Sequence, residues 1–367
     1  MQSSRFQQLH SAIDDGIHRQ LHTGVQVYVS KGGDVLLDEG FGTAKPGVPM
    51  TSSTVMLWRS AGKPLTAVAI MRLVEAGKLS LDSQICEVLP RCGSTLAGRT
   101  TIKQLLTHTS KITVAPTGWP QKTTTEIIQT ALQSQLDNSE VTAAYQPQIT
   151  WFVLGEILRN AMGADTFAEA VREAVLSPIG LADVWCGVPT SDASQLNDRL
   201  PTIFERVKGN LAESEYSSGD WLTQPSPGGN FRGPVSQLGR FYELLASGGK
   251  TQNGVQVLDS KTIRDMTSRH RAGQFDQTLQ HIVDYGLGLI VNSNHHGAAT
   301  VPYGFGRYSS DDSFGHGGAQ CSIGFYDPKQ KLVVAWAANG FCGEGQHQRR
   351  NRAINQAIYE DLGLAAM

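Results

Sequence analysis

Trp58-Arg59-Ser60-Ala61-Gly62-Lys63-Pro64-Leu65-Thr66-Ala67 is the stretch on which the reading of this chain turns. It places a serine hydroxyl three residues before a lysine amine, at the start of a segment that reads as a helix. Positions i and i+3 share a helix face, so Ser60 and Lys63 project together. A free serine hardly ionises at neutral pH. A neighbouring amine that accepts or relays its proton turns the hydroxyl into a nucleophile. Taken alone, S-x-x-K is a common pattern whose everyday meaning is an exposed Ser and Lys in a first helical turn. The segments around it separate the two meanings.

Upstream, Leu9, Ile13, Ile17 and Leu21 recur at four-residue intervals and predict a helix over Phe6–Leu21. Gln26–Ser30 and Val35–Leu37 flank Lys31-Gly32-Gly33-Asp34 and read as a β-hairpin. A further strand near Met56-Leu57-Trp58 feeds the Ser60 helix, which runs to a glycine cap at Gly77. The middle of the chain is mostly helix and loop. Helical patterns lie at Ile102–Leu106, Thr124–Leu136, Phe152–Ala161, Phe167–Leu176, Val235–Ala246 and Ser260–Thr267. Strands then resume at Tyr285–Val291, Gly315–Tyr326 and Lys331–Ala338, and a helix over Arg350–Leu362 closes the chain. The expected fold is α/β, an antiparallel sheet flanked by the N- and C-terminal helices plus a mainly helical subdomain. One catalytic domain of residues 1–367 would divide into sheet parts at about 1–77 and 282–367 and a helical part at about 78–281.

Composition narrows the function classes. The 367 residues are 40% hydrophobic and 17% charged, which suits a soluble globular protein with a full core. With 31 basic against 33 acidic residues the net charge is −2, so there is no electrostatic footprint for nucleic acid. No run of about 18 apolar residues exists to cross a bilayer. The polar N-terminus lacks a signal-peptide core, and five scattered cysteines without C-x-x-C spacing favour a reducing cytosol. The ten histidines show no H-E-x-x-H spacing. His295 and His296 are adjacent and would point in opposite directions on a strand, so no shared metal is expected there. No cofactor is implied.

Acyl transfer by Ser60 needs a further proton-handling group and donors for an oxyanion, and two segments offer them. Tyr145-Gln146-Pro147-Gln148 puts a tyrosine on a loop just before the helix that begins at Trp151. A phenol near a lysine can share a proton with it. Phe314-Gly315-His316-Gly317-Gly318-Ala319 enters a strand, where glycines after a histidine let a substrate approach the edge and its N–H groups.

The three motifs, in this order, resemble the serine β-lactamase and penicillin-binding-protein superfamily, in particular the class C-related branch of esterases, amidases and acyltransferases. Val74–Asp82, Thr101–Ser110, Leu154-Gly155-Glu156-Ile157 and Phe314–Gly318 are similar to further signatures of that family, so the likeness spans roughly residues 5 to 362. The resemblance implies that Ser60 is the acylated nucleophile, Lys63 its proton partner and Tyr145 the activating base. It implies an oxyanion hole of the Ser60 and Ala319 backbone N–H groups. His316 would line the site near the leaving group or the polar end of the substrate. Gly317, Gly318, Gln146 and Trp221 are expected to border the substrate, and Trp119, Tyr303, Phe305 and Tyr308 to edge the cleft. The loop Pro225–Arg232 would shape the acyl site, with Arg232 pairing an acidic group.

Two departures from the family pattern bear on the substrate. Pro147 stands where relatives carry an Asn that bonds an acylamino group, and proline has neither a side-chain donor nor an N–H. Gln146 or Gln148 would have to substitute. His316 replaces a lysine, and Gly317 a threonine, that would bind a substrate carboxylate. Both shift the expectation from β-lactams toward a serine hydrolase or acyltransferase, first of all an esterase, that cleaves a small ester or simple amide through an acyl-Ser60 intermediate. The alternatives are a D-amino-acid amidase or peptidase, a weak β-lactamase, or a catalytically silent binding protein of the same fold.

Overall fold

The computed structural model describes residues 5–89, 95, 97–112, 114–134 and 142–365. Cys92 and the end of the helix expected over Thr124–Leu136 lie outside the described residues. The centre of the fold is a seven-stranded antiparallel sheet made from both ends of the chain. Its strands are β1 (Gly24–Lys31), β2 (Asp34–Lys45), β3 (Val48–Pro49), β4 (Ile290–Val291), β5 (Phe314–Gly318), β6 (Ser322–Asp327) and β7 (Leu332–Ala338). They lie in the order β4-β5-β6-β7-β1-β2-β3. The β1–β2 hairpin turns through Gly32 and Gly33, both at positive φ, the backbone that a two-residue hairpin turn demands.

Alternation along β1 sorts the two faces. Val25, Val27 and Val29 point to one side, into a cluster with Leu9, Ile13, Trp336, Ile354 and Ile358. There the helices α1 (Gln7–His18) and α5 (Glu344–Asp361) pack against each other and cover the sheet. Gln26, Tyr28 and Ser30 point to the other side, toward α4 (Val235–Ala246). Tyr28 and Ser30 both donate to the Glu243 carboxylate at 2.6 Å, and the Gln26 carbonyl oxygen accepts from Val235 N–H. Beyond this face sits α2 (Lys63–Glu75), buried on almost every side by the sheet and by α3 (Ile149–Met162). A helix apolar all round is a core helix, and any polar side chain at its start is buried with it.

Several elements differ from the sequence expectation. The strand expected over Tyr285–Val291 shortens to Ile290–Val291, because Gly288 takes φ +77° and donates its N–H to the Leu106 carbonyl. Gly315–Tyr326 is not one strand but a hairpin reversing at residues 319–321, where Gln320 adopts φ +57°. Met56–Leu57 is extended as expected, but it pairs with Phe231–Gly233 rather than with the main sheet. The closing helix begins at Glu344, six residues before Arg350. His295 and His296 occupy a 3-10 turn, not a strand, so their rings lie side by side with centroids 3.9 Å apart instead of opposing.

Arg350, on α5, is buried with no carboxylate partner among the described residues. It donates to the carbonyls of Leu21, Gln320 and Gly340 and faces Nδ1 of His22 and of His347. One guanidinium thus ties together the end of α1, the 319–321 turn and the strand that follows the sheet. Burial first, and then the Arg350 charge, holds His22 down to about 3 and His347 well below the usual imidazole range. Unfolded histidines take up protons near 6.5, so the unfolded state binds more protons below that pH and stability falls as pH drops from there. The unfolding midpoint is therefore expected to decline steadily from pH 6.5 toward about 3. His347→Asn, whose amide oxygen can stand in for Nδ1, should flatten the decline in thermal melts followed by circular dichroism. An unchanged slope would remove His347 from the account.

Candidate active site

The stretch that opened the sequence folds into a 3-10 turn, Arg59–Gly62, that runs directly into α2 at Lys63. Two constraints shape it. Arg59 adopts φ +47°, an unfavourable backbone for a side chain of that size, and its guanidinium is held over the rings of Tyr216 (4.6 Å) and Phe341 (4.9 Å). Gly62 packs against Phe231 so closely that a Cβ would sit 2.5 Å from the ring. The turn presents Ser60 to a cavity of about 730 Å³.

Lys63 lies beneath Ser60, fully buried. Its Nζ donates to Ser60 Oγ at 3.0 Å, to the Pro147 carbonyl at 2.7 Å and to the Gly228 carbonyl at 2.5 Å. Carbonyl oxygens only accept, so two N–H bonds are fixed by Pro147 and Gly228. The remaining position on nitrogen faces Ser60, as a donor when the amine is protonated and as a lone pair when it is neutral. Burial, and then the Arg59 charge, pushes the amine far below the usual lysine range. In its neutral form the amine would turn its lone pair toward Ser60 Oγ. Pro147, which has no side-chain hydrogen bond to offer, contributes through its carbonyl. Gly228 is required for space, since a Cβ there would stand 2.7 Å from Trp151 and 3.1 Å from Nζ.

Tyr145 and His316 face the same cavity, their rings 6.0 Å apart. Burial pushes the Tyr145 phenol above its usual range, with Ser60 as the largest opposing influence. His316 is buried; its Nδ1 lies 2.7 Å from the Gly317 carbonyl, which places the proton on Nδ1 and leaves Nε2 as an acceptor. Burial, with Lys63 second, holds this imidazole down to about 3, so it is neutral at physiological pH. The 319–321 turn closes with Cys321 N–H on the Gly318 carbonyl, so the Ala319 N–H is not used by it. Ala319 and Ser60 border the cavity together.

The remaining expectations divide. Gly317 and Trp221 line the cavity, as do Trp119 and Tyr303. Gly318 does not: a Cβ there would come 2.1 Å from the Trp58 carbonyl, so it serves the close packing of β5 on the Ser60 turn. Gln146 is turned away and buried, donating to the Ile112 carbonyl; Gln148 is the amide on the cavity wall. Phe305 stacks on Phe325 in the sheet core, and Tyr308 packs near Tyr359. Arg232 is buried against Asn230 and the carbonyls of Tyr216 and Trp221, with no acidic partner among the described residues. A cleft of similar size, about 710 Å³, lies where α1 and α5 meet residues 298–307 and shares no residue with the Ser60 cavity.

Comparison with known proteins identifies the family. The beta-lactamase family profile matches residues 9–359. The chain belongs to the beta-lactamase family. Among curated relatives, esterase EstB of Burkholderia gladioli is 33% identical over 108 residues, a match spanning 28% of each chain. Esterase/beta-lactamase LipL of Mycobacterium tuberculosis is 21% identical over 323 residues, 80% of this chain and 71% of that protein. Among solved structures, EstCE1, described as a hydrolase with promiscuous acyltransferase activity, superposes with a TM-score of 0.81 at 20% identity. That superposition covers 98% of this chain and 99% of the other, and it shows a shared fold.

Behind Tyr145 stands support on which the family motifs are silent. The buried Asp276 accepts the Tyr145 N–H at 3.0 Å and the N–H groups of Thr278 and Leu279, both on the cavity wall. Its other oxygen pairs with the buried Arg271 at 3.0 Å, and that guanidinium lies over the ring of Tyr285, 4.2 Å from its centroid. A carboxylate and an arginine far from any catalytic motif carry no sequence signal, because only the fold brings them beside the tyrosine. Asp276→Asn leaves Arg271 uncompensated and should cost about 3 kcal/mol of stability. Displacement of Tyr145 should lower kcat/KM about tenfold to 100-fold, measured on p-nitrophenyl butyrate. A folded variant with unaltered kcat/KM would remove Asp276 from the site's support.

Proposed function

We propose that this protein is a serine hydrolase that cleaves an ester or simple amide through an acyl-Ser60 intermediate, with ester hydrolysis as its main reaction. The observation that carries the reading is Lys63: a buried amine with no carboxylate partner among the described residues, fixed by two carbonyls and aimed at Ser60 Oγ. Ser60 Oγ attacks the acyl carbon while its proton passes to the neutral Lys63 amine. Backbone N–H groups of Ser60 and Ala319 hold the oxyanion. As the carbon–oxygen bond to the leaving group breaks, the proton moves from Lys63 through the Tyr145 phenol to the departing oxygen. Water then repeats the sequence and frees the acid. This gives the base role to Lys63 and makes Tyr145 a relay, because burial lowers the amine and raises the phenol. His316, neutral and with Nε2 as an acceptor, takes a hydrogen bond from the substrate rather than holding a carboxylate.

The walls support a small-molecule ester or amide with an apolar, aromatic-compatible group. Trp119, Tyr216, Trp221, Tyr285 and Tyr303 supply flat apolar surface. The whole chain acts as one catalytic domain in this reading. Free thiols at Cys186, Cys321 and Cys342 support a reducing cytosol as its compartment. No helix among the described residues is long and apolar enough to cross a membrane.

Ser60→Ala is expected to abolish turnover of p-nitrophenyl acetate and butyrate and labelling by a fluorophosphonate probe. Ser60-independent turnover would sink the proposal, and nitrocefin turnover matching ester turnover would shift it to a β-lactamase. The pH profile separates the proton roles. Because the folded amine titrates far below the usual lysine range, kcat/KM should rise with pH on a limb that belongs to Lys63. Arg59→Met removes a charge that depresses the amine, so that limb should move to higher pH. His316→Gln should leave the limb in place, since this imidazole stays neutral down to about 3. A limb lost with His316 would reassign the base.

A further inference from the structure

We propose that Asp284, His295 and His296 form a binding site for one divalent transition metal of the zinc class. The Asp284 carboxylate is fully buried, and each of its oxygens faces an imidazole: Oδ2 lies 3.3 Å from His295 Nε2 and Oδ1 lies 3.3 Å from His296 Nε2. All three ligand atoms fall within 4.8 Å of one another. Strong charge-assisted hydrogen bonds are shorter, about 2.7–2.9 Å. A tetrahedral zinc ion with ligand bonds of about 2.0–2.2 Å sets its ligand atoms about 3.3–3.5 Å apart, and each imidazole nitrogen stands at that distance from one of the two carboxylate oxygens.

The carboxylate is oriented as metal ligands are, by donors behind it. Gly273 N–H donates to Oδ1 at 2.9 Å and Arg269 Nε donates to Oδ2 at 3.1 Å. Arg269 is itself oriented by the carbonyls of Asn292 and Asp311, to which its Nη2 donates. The rings of His295 and His296 are 3.9 Å apart between centroids, so two imidazolium charges there would repel and two neutral nitrogens would share a cation. His295 is half-exposed, with 46% of its side chain open, which leaves room for water as a fourth ligand. Two nitrogens and one carboxylate select zinc-like ions over magnesium.

The site joins two segments of the cavity wall. Asp284 precedes Tyr285, and the 3-10 turn that carries both histidines follows β4, whose Ile290 also lines the cavity. A bound ion would clip these segments together, and because it binds the folded chain it would raise the unfolding temperature. Ser60 chemistry does not pass through it, so the two proposals stand or fall separately.

The test is calorimetric titration of the untagged, full-length chain with zinc chloride, with magnesium chloride in parallel. The expected result is one saturable zinc site, silence with magnesium, and a thermal midpoint that rises with zinc and returns with EDTA. His295→Ala/His296→Ala should weaken zinc binding about tenfold or more, whereas His18→Ala, on exposed α1, should not. Cobalt(II) added to the wild-type chain should give the visible absorption of a tetrahedral site, a readout that stands even where the double variant fails to fold. No saturable zinc binding, equal affinity in a folded double variant, or no such cobalt band would overturn the proposal and leave the cluster a His–Asp–Arg ion network.

Discussion

Everything about the site depends on a lysine amine buried without a counter-ion. A charged ammonium in a dry interior costs several kcal/mol unless partners compensate. Lys63 has two carbonyls and a hydroxyl, and no carboxylate among the described residues. Such partners satisfy the hydrogen bonds without cancelling the charge, so the balance tips toward the neutral amine. A carboxylate in the same place would have held the amine in its charged form and closed it to the base role proposed above. The charge of Arg59 pushes in the same direction as burial.

This constraint reaches far into the fold. The amine is buried because α2 is a core helix, apolar on nearly every side. Its two carbonyls come from loops of the helical region, at Pro147 and Gly228, while the proposed oxyanion edge comes from the β5–β6 hairpin of the sheet. The two parts must therefore hold registry to within a hydrogen-bond length. Buried ionic hubs provide it. Arg350 fastens the 319–321 turn to the terminal helix, and the Asp276–Arg271 pair fastens Tyr145 and the adjoining cavity wall. Both are long-range contacts between residues that no local motif connects.

Legibility from the sequence followed the range of the interactions. Helices whose ends are set by local signals were readable almost to the residue, as at Ile102–Leu106 and Val235–Ala246. Strand length was less readable, because ladder partners decide it: Tyr285–Val291 keeps two paired residues once Gly288 turns the backbone. Side-chain direction on loops was least readable. Gln146 and Gln148 are equivalent candidates on paper, and only the packing turns one inward and the other to the cavity. His295 and His296 would diverge on a strand, but a 3-10 turn makes them converge.

The sequence by itself determined the family, the order of the three motifs and the serine–lysine pair, since each rests on residues close together along the chain. Tertiary structure decided the chemistry of that pair. Whether Lys63 is an exposed cation or a depressed amine depends on carbonyls 84 and 165 residues away. The energy of a charge is a property of its surroundings, and those surroundings exist only in the folded chain.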